Sequence, residues 1–136
     1  MPVVLKLFCD RSISWRIADA IRDLGFEVQT LAERYGEQPG QLVADVRWIA
    51  EAARDGYLLL GADARVRHNP AERQMLCLSA ARYLVYPNNN ISTAEKIGRI
   101  RDHRAAIEAV AAEPGPWVRH LTARELTLVA LDCGSE

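Results

Sequence analysis

Residues 3–31 read VVLKLFCDRSISWRIADAIRDLGFEVQTL, and the succession of patterns inside this stretch decides the fold class. Val3 to Cys9 is a short apolar run broken only by Lys6 and closed by Asp10, too brief for a core helix and suited to a buried strand. From Ser14 onward Trp15, Ile17, Ala18, Ala20, Ile21 and Leu24 recur at helical spacing, with Ser14 as N-cap and Gly25 as the stop. Phe26 to Leu31 then alternates apolar and polar side chains, the period of a second strand.

Outward from this unit the pattern repeats. A loop rich in Gly36, Pro39 and Gly40 precedes a helix opening at Asp45, with Val46, Ile49, Ala50 and Ala53 as its apolar stripe and Asp55-Gly56 as its end. Tyr57 to Leu60 reads as a third strand. A basic loop leads to Asn69-Pro70-Ala71-Glu72, a helix start with Asn69 as N-cap, and Met75, Leu76 and Leu78 as the apolar side. Ala81 to Tyr86 is a fourth strand, and Ser92-Thr93-Ala94-Glu95 opens a helix expected to run to about Ala112 before Pro114-Gly115-Pro116. Trp117 to Leu131 alternates around Thr122 to Glu125 as a hairpin. Alternating strands and helices predict an α/β fold: a three-layer α/β/α sandwich with a central, mostly parallel sheet and right-handed crossovers.

The gross numbers set bounds. A chain of 136 residues suits a single domain over 1–136, and 49% hydrophobic with 26% charged residues is an ordinary globular balance. No apolar stretch approaches the ~20 residues of a spanning helix, and the N-terminus lacks a signal-peptide pattern, so no membrane role and a cytoplasmic location are expected. Three widely spaced cysteines, Cys9, Cys77 and Cys133, form no C-x-x-C pair, so neither a disulfide framework nor a zinc site is expected. The net charge of -1 gives no global attraction to nucleic acid, and phosphate contacts must come from local arginines.

In an open α/β sheet the functional crevice lies beyond the carboxyl ends of the strands, where Asp10 and Asp63 fall. Asp45 opens the helix leading into the third strand and Glu72 opens the helix after it. Gathered carboxylates repel by about 3 kcal/mol per pair at ~5 Å with an effective dielectric near 20. Divalent Mg²⁺ or Mn²⁺, which prefer hard oxygen ligands and phosphate oxygens, would relieve that repulsion. Ordinary readings compete: Asp45 and Glu72 as capping residues, Asp63 as a turn residue. Arg65, Arg67, His68 and Arg73 flank Asp63 and Glu72 and are candidates for phosphate contact. The three histidines form no ligand pair, Arg99, Arg101 and Arg104 read as a solvated face, and Trp15 and Trp48 read as core or partner-facing residues.

The blocks Phe8-Cys9-Asp10-Arg11-Ser12, Asp45-Val46-Arg47-Trp48, Ala62-Asp63-Ala64-Arg65 and Asn69-Pro70-Ala71-Glu72-Arg73, in this order, resemble the PIN-like domains of VapC-type toxins over nearly the whole chain. The resemblance implies a metal-dependent endoribonuclease that cleaves RNA with a metal-activated water, and a cognate antitoxin that binds it. It further implies a homodimer, with the C-terminal hairpin as a candidate surface. By position it implies Asp10, Asp45 and Asp63 as metal ligands, Glu72 as a fourth catalytic carboxylate, and Ser12, Arg65, Arg67 and Arg73 toward RNA. The chain departs from the family at Arg65, where many members carry an aspartate; this sets an inert protein- or RNA-binding PIN-like module as the rival reading. A receiver domain would need a lysine after its last core strand, yet the chain has only Lys6 and Lys96. A dinucleotide fold would need glycines after the first strand.

Overall fold

The computed structural model describes residues 5–134, and within them the first expected strand forms as β1 (Lys6–Cys9), while Val3 and Val4 lie outside the described residues. Leu7 and Cys9 enter one apolar core and Phe8 the other, which is why this strand reads as a continuous hydrophobic run. Helix α1 (Trp15–Asp23) starts where Ser14 Oγ accepts the Ile17 N–H at 3.3 Å, and ends before Gly25, whose φ of +100° suits glycine. Strand β2 (Glu27–Thr30) returns parallel to β1.

The expected Gly/Pro loop is instead two short helices, α2 (Leu31–Tyr35) and α3 (Glu37–Leu42). The overlooked signal is Thr30-Leu31-Ala32-Glu33, a capping box in which Thr30 Oγ1 accepts the Glu33 N–H and the Glu33 carboxylate accepts the Thr30 N–H. Pro39 falls in the first turn of α3, where a missing N–H costs nothing. The chain continues through α4 (Asp45–Arg54), β3 (Leu58–Gly61), a 3-10 turn (Ala64–His68), α5 (Pro70–Leu78) and β4 (Arg82–Val85). Leu76 of α5 is fully buried, but Leu78, expected beside it, is 72% exposed.

The long helix expected to reach Ala112 is broken into α6 (Thr93–Asp102) and α7 (Arg104–Ala111). The joint is His103, which leaves helical geometry while its Nε2 donates to the Thr122 carbonyl at 2.9 Å. The expected hairpin forms as β5 (Trp117–Leu121) and β6 (Leu126–Val129). One six-stranded sheet results, in the order β2-β1-β3-β4-β5-β6, parallel throughout except for β6.

Helices cover both faces. Ile17 and Ile21 of α1, Ile100 of α6 and Ile107 of α7 pack on one face; Trp48, Ile49 and Ala52 of α4 and Leu76 of α5 pack on the other. Among the described residues no helix is long and apolar enough to cross a membrane. One expectation about the cysteines is overturned: Cys77 of α5 and Cys133 are joined in a disulfide with Cα atoms 5.6 Å apart, and Cys9 remains free and buried. A separation of 56 residues carries no information about spatial proximity, so spacing alone missed the pair.

Candidate functional site

Beyond the carboxyl ends of β1, β3 and β4 lies a cavity of about 550 Å³ whose walls include Asp10, Asp45, Asp63 and Glu72 together with Trp48 and Tyr83. The four carboxylates singled out from sequence therefore converge.

Asp10 follows β1 directly and is buried. One of its oxygens accepts from both the backbone N–H (2.7 Å) and the hydroxyl of Ser12, and the other accepts from the Tyr83 hydroxyl. Burial still pushes its pKa up, the hydrogen bonds from Ser12 and Tyr83 oppose this, and the charge of Asp45 adds to it. Gly61, at the end of β3, makes room for this arrangement: a Cβ there would collide with an Asp10 oxygen and the Tyr83 hydroxyl. Ser12, expected toward RNA, has both its groups engaged inward, since its Oγ also accepts the Ala62 N–H at 2.8 Å.

Asp45 is the first residue of α4 rather than its N-cap, and caps no backbone group. Its carboxylate takes the Trp48 indole N–H at 2.9 Å and lies 3.4 Å from the Arg11 guanidinium. Trp48 in turn stacks on Phe8 and meets Tyr83 edge-on at 6.5 Å, so a buried aromatic row underlies two of the carboxylates. Burial raises Asp45, but hydrogen bonds from Glu72 and Trp48 and the charge of Arg11 hold it below the usual carboxylate range.

Glu72 sits in the first turn of α5, where Asn69 Oδ1 accepts its N–H at 3.2 Å. Its side chain turns to Asp45 instead of completing a capping box. Burial, the hydrogen bond with Asp45 and the charges of Asp45, Asp63 and Asp10 push it up to about 7. Asp63 accepts the Arg65 N–H at 3.0 Å, which is the turn role expected of it, and its two oxygens also take the Arg65 guanidinium at 2.9 and 3.0 Å. That ion pair lowers its pKa, against a smaller effect of burial.

The arginines do not behave as a group. Arg65 stands at the cavity with His68 and Asn69, whereas Arg67 donates to the Ala130 carbonyl and Arg73 lines a separate hollow beside Cys77 and Asp132. Neither Arg67 nor Arg73 lines the carboxylate cavity. Sequence reading missed Tyr83, Trp48, Arg11 and Gly61 as supports. The only local signal was Trp48 at three residues from Asp45, one helical turn, which places the indole under the carboxylate.

The donor chemistry suits a hard divalent cation: four carboxylates line one cavity, and the charges of Asp45, Asp63 and Asp10 add to burial in pushing Glu72 up to about 7. Among the described residues no three His, Cys, Asp or Glu side chains are drawn together enough to hold a metal ion by themselves.

Two comparisons with known proteins bear on the site. A family model described as "PIN like domain" matches residues 5–88, the segment that contributes Asp10, Asp45, Asp63 and Glu72. The chain is also 34% identical over 113 residues to a Mycobacterium tuberculosis (strain ATCC 25618 / H37Rv) protein named "Putative ribonuclease VapC45", across 82% of each chain. No solved structure matches it.

Proposed function

The chain belongs to the PIN-like domain family, and from that premise we propose that it is a VapC-type ribonuclease, the toxin of a toxin–antitoxin pair, hydrolysing RNA phosphodiester bonds with the help of Mg²⁺ or Mn²⁺. The observation that carries this reading is the convergence of Asp10, Asp45, Asp63 and Glu72 on one cavity at the carboxyl edge of a parallel sheet. The relative's name speaks of a ribonuclease, and the cavity has the donor chemistry that phosphodiester hydrolysis needs.

Asp10, Asp45 and Asp63 are the residues that would hold a divalent ion, one or two of them directly and the rest through water; when bound it would offset the charge of carboxylates and phosphate and acidify a water. The protein's own groups prepare for it. Ser12 and Tyr83 fix Asp10 in one orientation, and the Trp48 indole fixes Asp45. Glu72, titrating near 7, is matched to taking a proton from an attacking water or returning one to the leaving oxygen. The Arg65 guanidinium, mostly exposed, can exchange Asp63 for a phosphate oxygen without leaving water.

A second reading, an inert protein- or RNA-binding module, is favoured by one observation: both Asp63 oxygens are already occupied by Arg65. The deciding experiment incubates the protein and its Asp10→Asn variant with total RNA in Mg²⁺, Mn²⁺ or EDTA and maps fragment ends. Discrete fragments that require metal and disappear in the variant are expected. Absence of cleavage together with absence of metal binding by calorimetry would establish the inert module.

A further inference from the structure

We infer that Trp15 is a stacking platform for an unpaired nucleobase of the RNA, next to the nucleotide whose phosphate occupies the carboxylate cavity; this rests on the nuclease reading. Trp15 is the first residue of α1 and stands 66% exposed, although its helix buries Ile17, Ala18 and Ile21. Leaving an indole in water forfeits the burial that most tryptophans obtain. It lines a groove of about 250 Å³ together with Asp10, Arg11, Ile13, Leu31, Glu37 and Gly40. Asp10 lines both this groove and the carboxylate cavity, so the two are continuous along the carboxyl edge of the sheet.

The Arg16 guanidinium lies 5.3 Å from the indole ring, and the groove holds the half-exposed Arg11, paired with Asp45, alongside Glu37. An aromatic face combined with flanking arginines is the arrangement that holds a single strand, bases stacked and phosphates neutralised. Continuity with a cavity built for a phosphodiester puts the neighbouring nucleotide of the same strand on this path. A duplex would keep its bases stacked within itself and has none to offer.

The test uses the full chain carrying Asp10→Asn in EDTA, with a short oligoadenylate, its abasic counterpart and a duplex of equal length as probes. Trp48 and Trp117 are 1% and 5% exposed, so quenching of tryptophan emission by the oligoadenylate is expected to come from Trp15 and to vanish in Trp15→Phe. Trp15→Ala is expected to weaken oligoadenylate binding by about 10- to 100-fold, with Trp15→Phe within about threefold of the parent. Abasic strand and duplex bind the parent and Trp15→Ala alike. In the active protein Trp15→Ala raises KM and leaves kcat unchanged. An exposed position makes misfolding a poor explanation of any loss, and an unchanged Tm checks this. Unaltered oligoadenylate affinity in Trp15→Ala overturns the inference, as does an equal loss for the abasic strand. So does a Trp15→Ala change in sedimentation from dimer to monomer with RNA binding intact, which would assign the groove to a second copy. Quenching that persists in a protein cleaving no RNA would remove the nuclease reading and keep the base platform.

Discussion

Glu72 and Asp45 are both carboxylates in the first turn of a helix, yet their pKa values move in opposite directions, and the difference is environmental. Asp45 receives an indole N–H and faces Arg11, while Glu72 faces three other carboxylates. A carboxyl whose pKa is raised by folding binds more protons in the native than in the unfolded state, so its contribution is favourable at low pH and lost as pH rises. With Glu72 pushed up to about 7 from an unfolded value of 4.5, the metal-free protein is expected to lose stability between about pH 4.5 and 7. Thermal unfolding in EDTA across that range checks it, and Glu72→Gln should flatten the slope and raise Tm at pH 8. Gly61 supplies a second residue-level expectation. Gly61→Ala forces a methyl group against Asp10 and Tyr83, and should cost about 1–3 kcal/mol in denaturant unfolding while sharply lowering RNA cleavage. Unchanged cleavage would mean that the orientation of Asp10 is immaterial to the reaction.

At the scale of elements, the β1–α1 loop, α4 and α5 each bring one or more site residues to the same rim, and α5 is tied elsewhere as well. The Cys77–Cys133 disulfide ties α5 to the segment after β6, and Arg67 from the preceding 3-10 turn holds the Ala130 carbonyl of that same segment. Closing a loop of 56 residues restricts the unfolded chain by about 4 kcal/mol on a loop-entropy estimate. Adding a dithiol reductant is therefore expected to lower Tm by several degrees, and Cys133→Ser should reproduce the loss and be insensitive to reductant. If thiol titration of the unreduced, denatured protein counts three free cysteines, the bond is absent and the prediction fails. Element boundaries were legible where a cap or a period marked them: Ser14, Asn69 and Ser92 each accept a backbone N–H as expected. The α2–α3 pair was not, because Gly36, Pro39 and Gly40 looked like loop residues although each occupies a helix end or first turn.

For the whole molecule, a net charge of -1 with few free cations at the rim sets the character of RNA association. Arg65 and Arg11 adjoin the cavity and groove, while Arg67 and Arg73 are turned away. Two phosphate contacts to a single strand release counterions with a slope of about 1.4 in log Kd against log salt. A slope well above about 3 in a titration with the Asp10→Asn variant would show that a larger basic surface takes part.

The amino-acid sequence by itself determined the alternation of strands and helices, the two-sided burial of β1 and β3, the C-terminal hairpin and the placement of Asp10 and Asp63 at strand ends. These follow from periods of 2 and 3.6 residues and from caps within a few residues of one another, and such local regularities survive in any fold the chain adopts. The tertiary structure alone decided that Tyr83 reaches Asp10 across 73 residues, that burial and the neighbouring Asp45 push Glu72 up, that Cys77 meets Cys133, and that Arg67 leaves the site for Ala130. Those partners are chosen by strand order and by which atoms are left buried and unpaired once the sheet is assembled, and neither quantity is written in the spacing of residues along the chain.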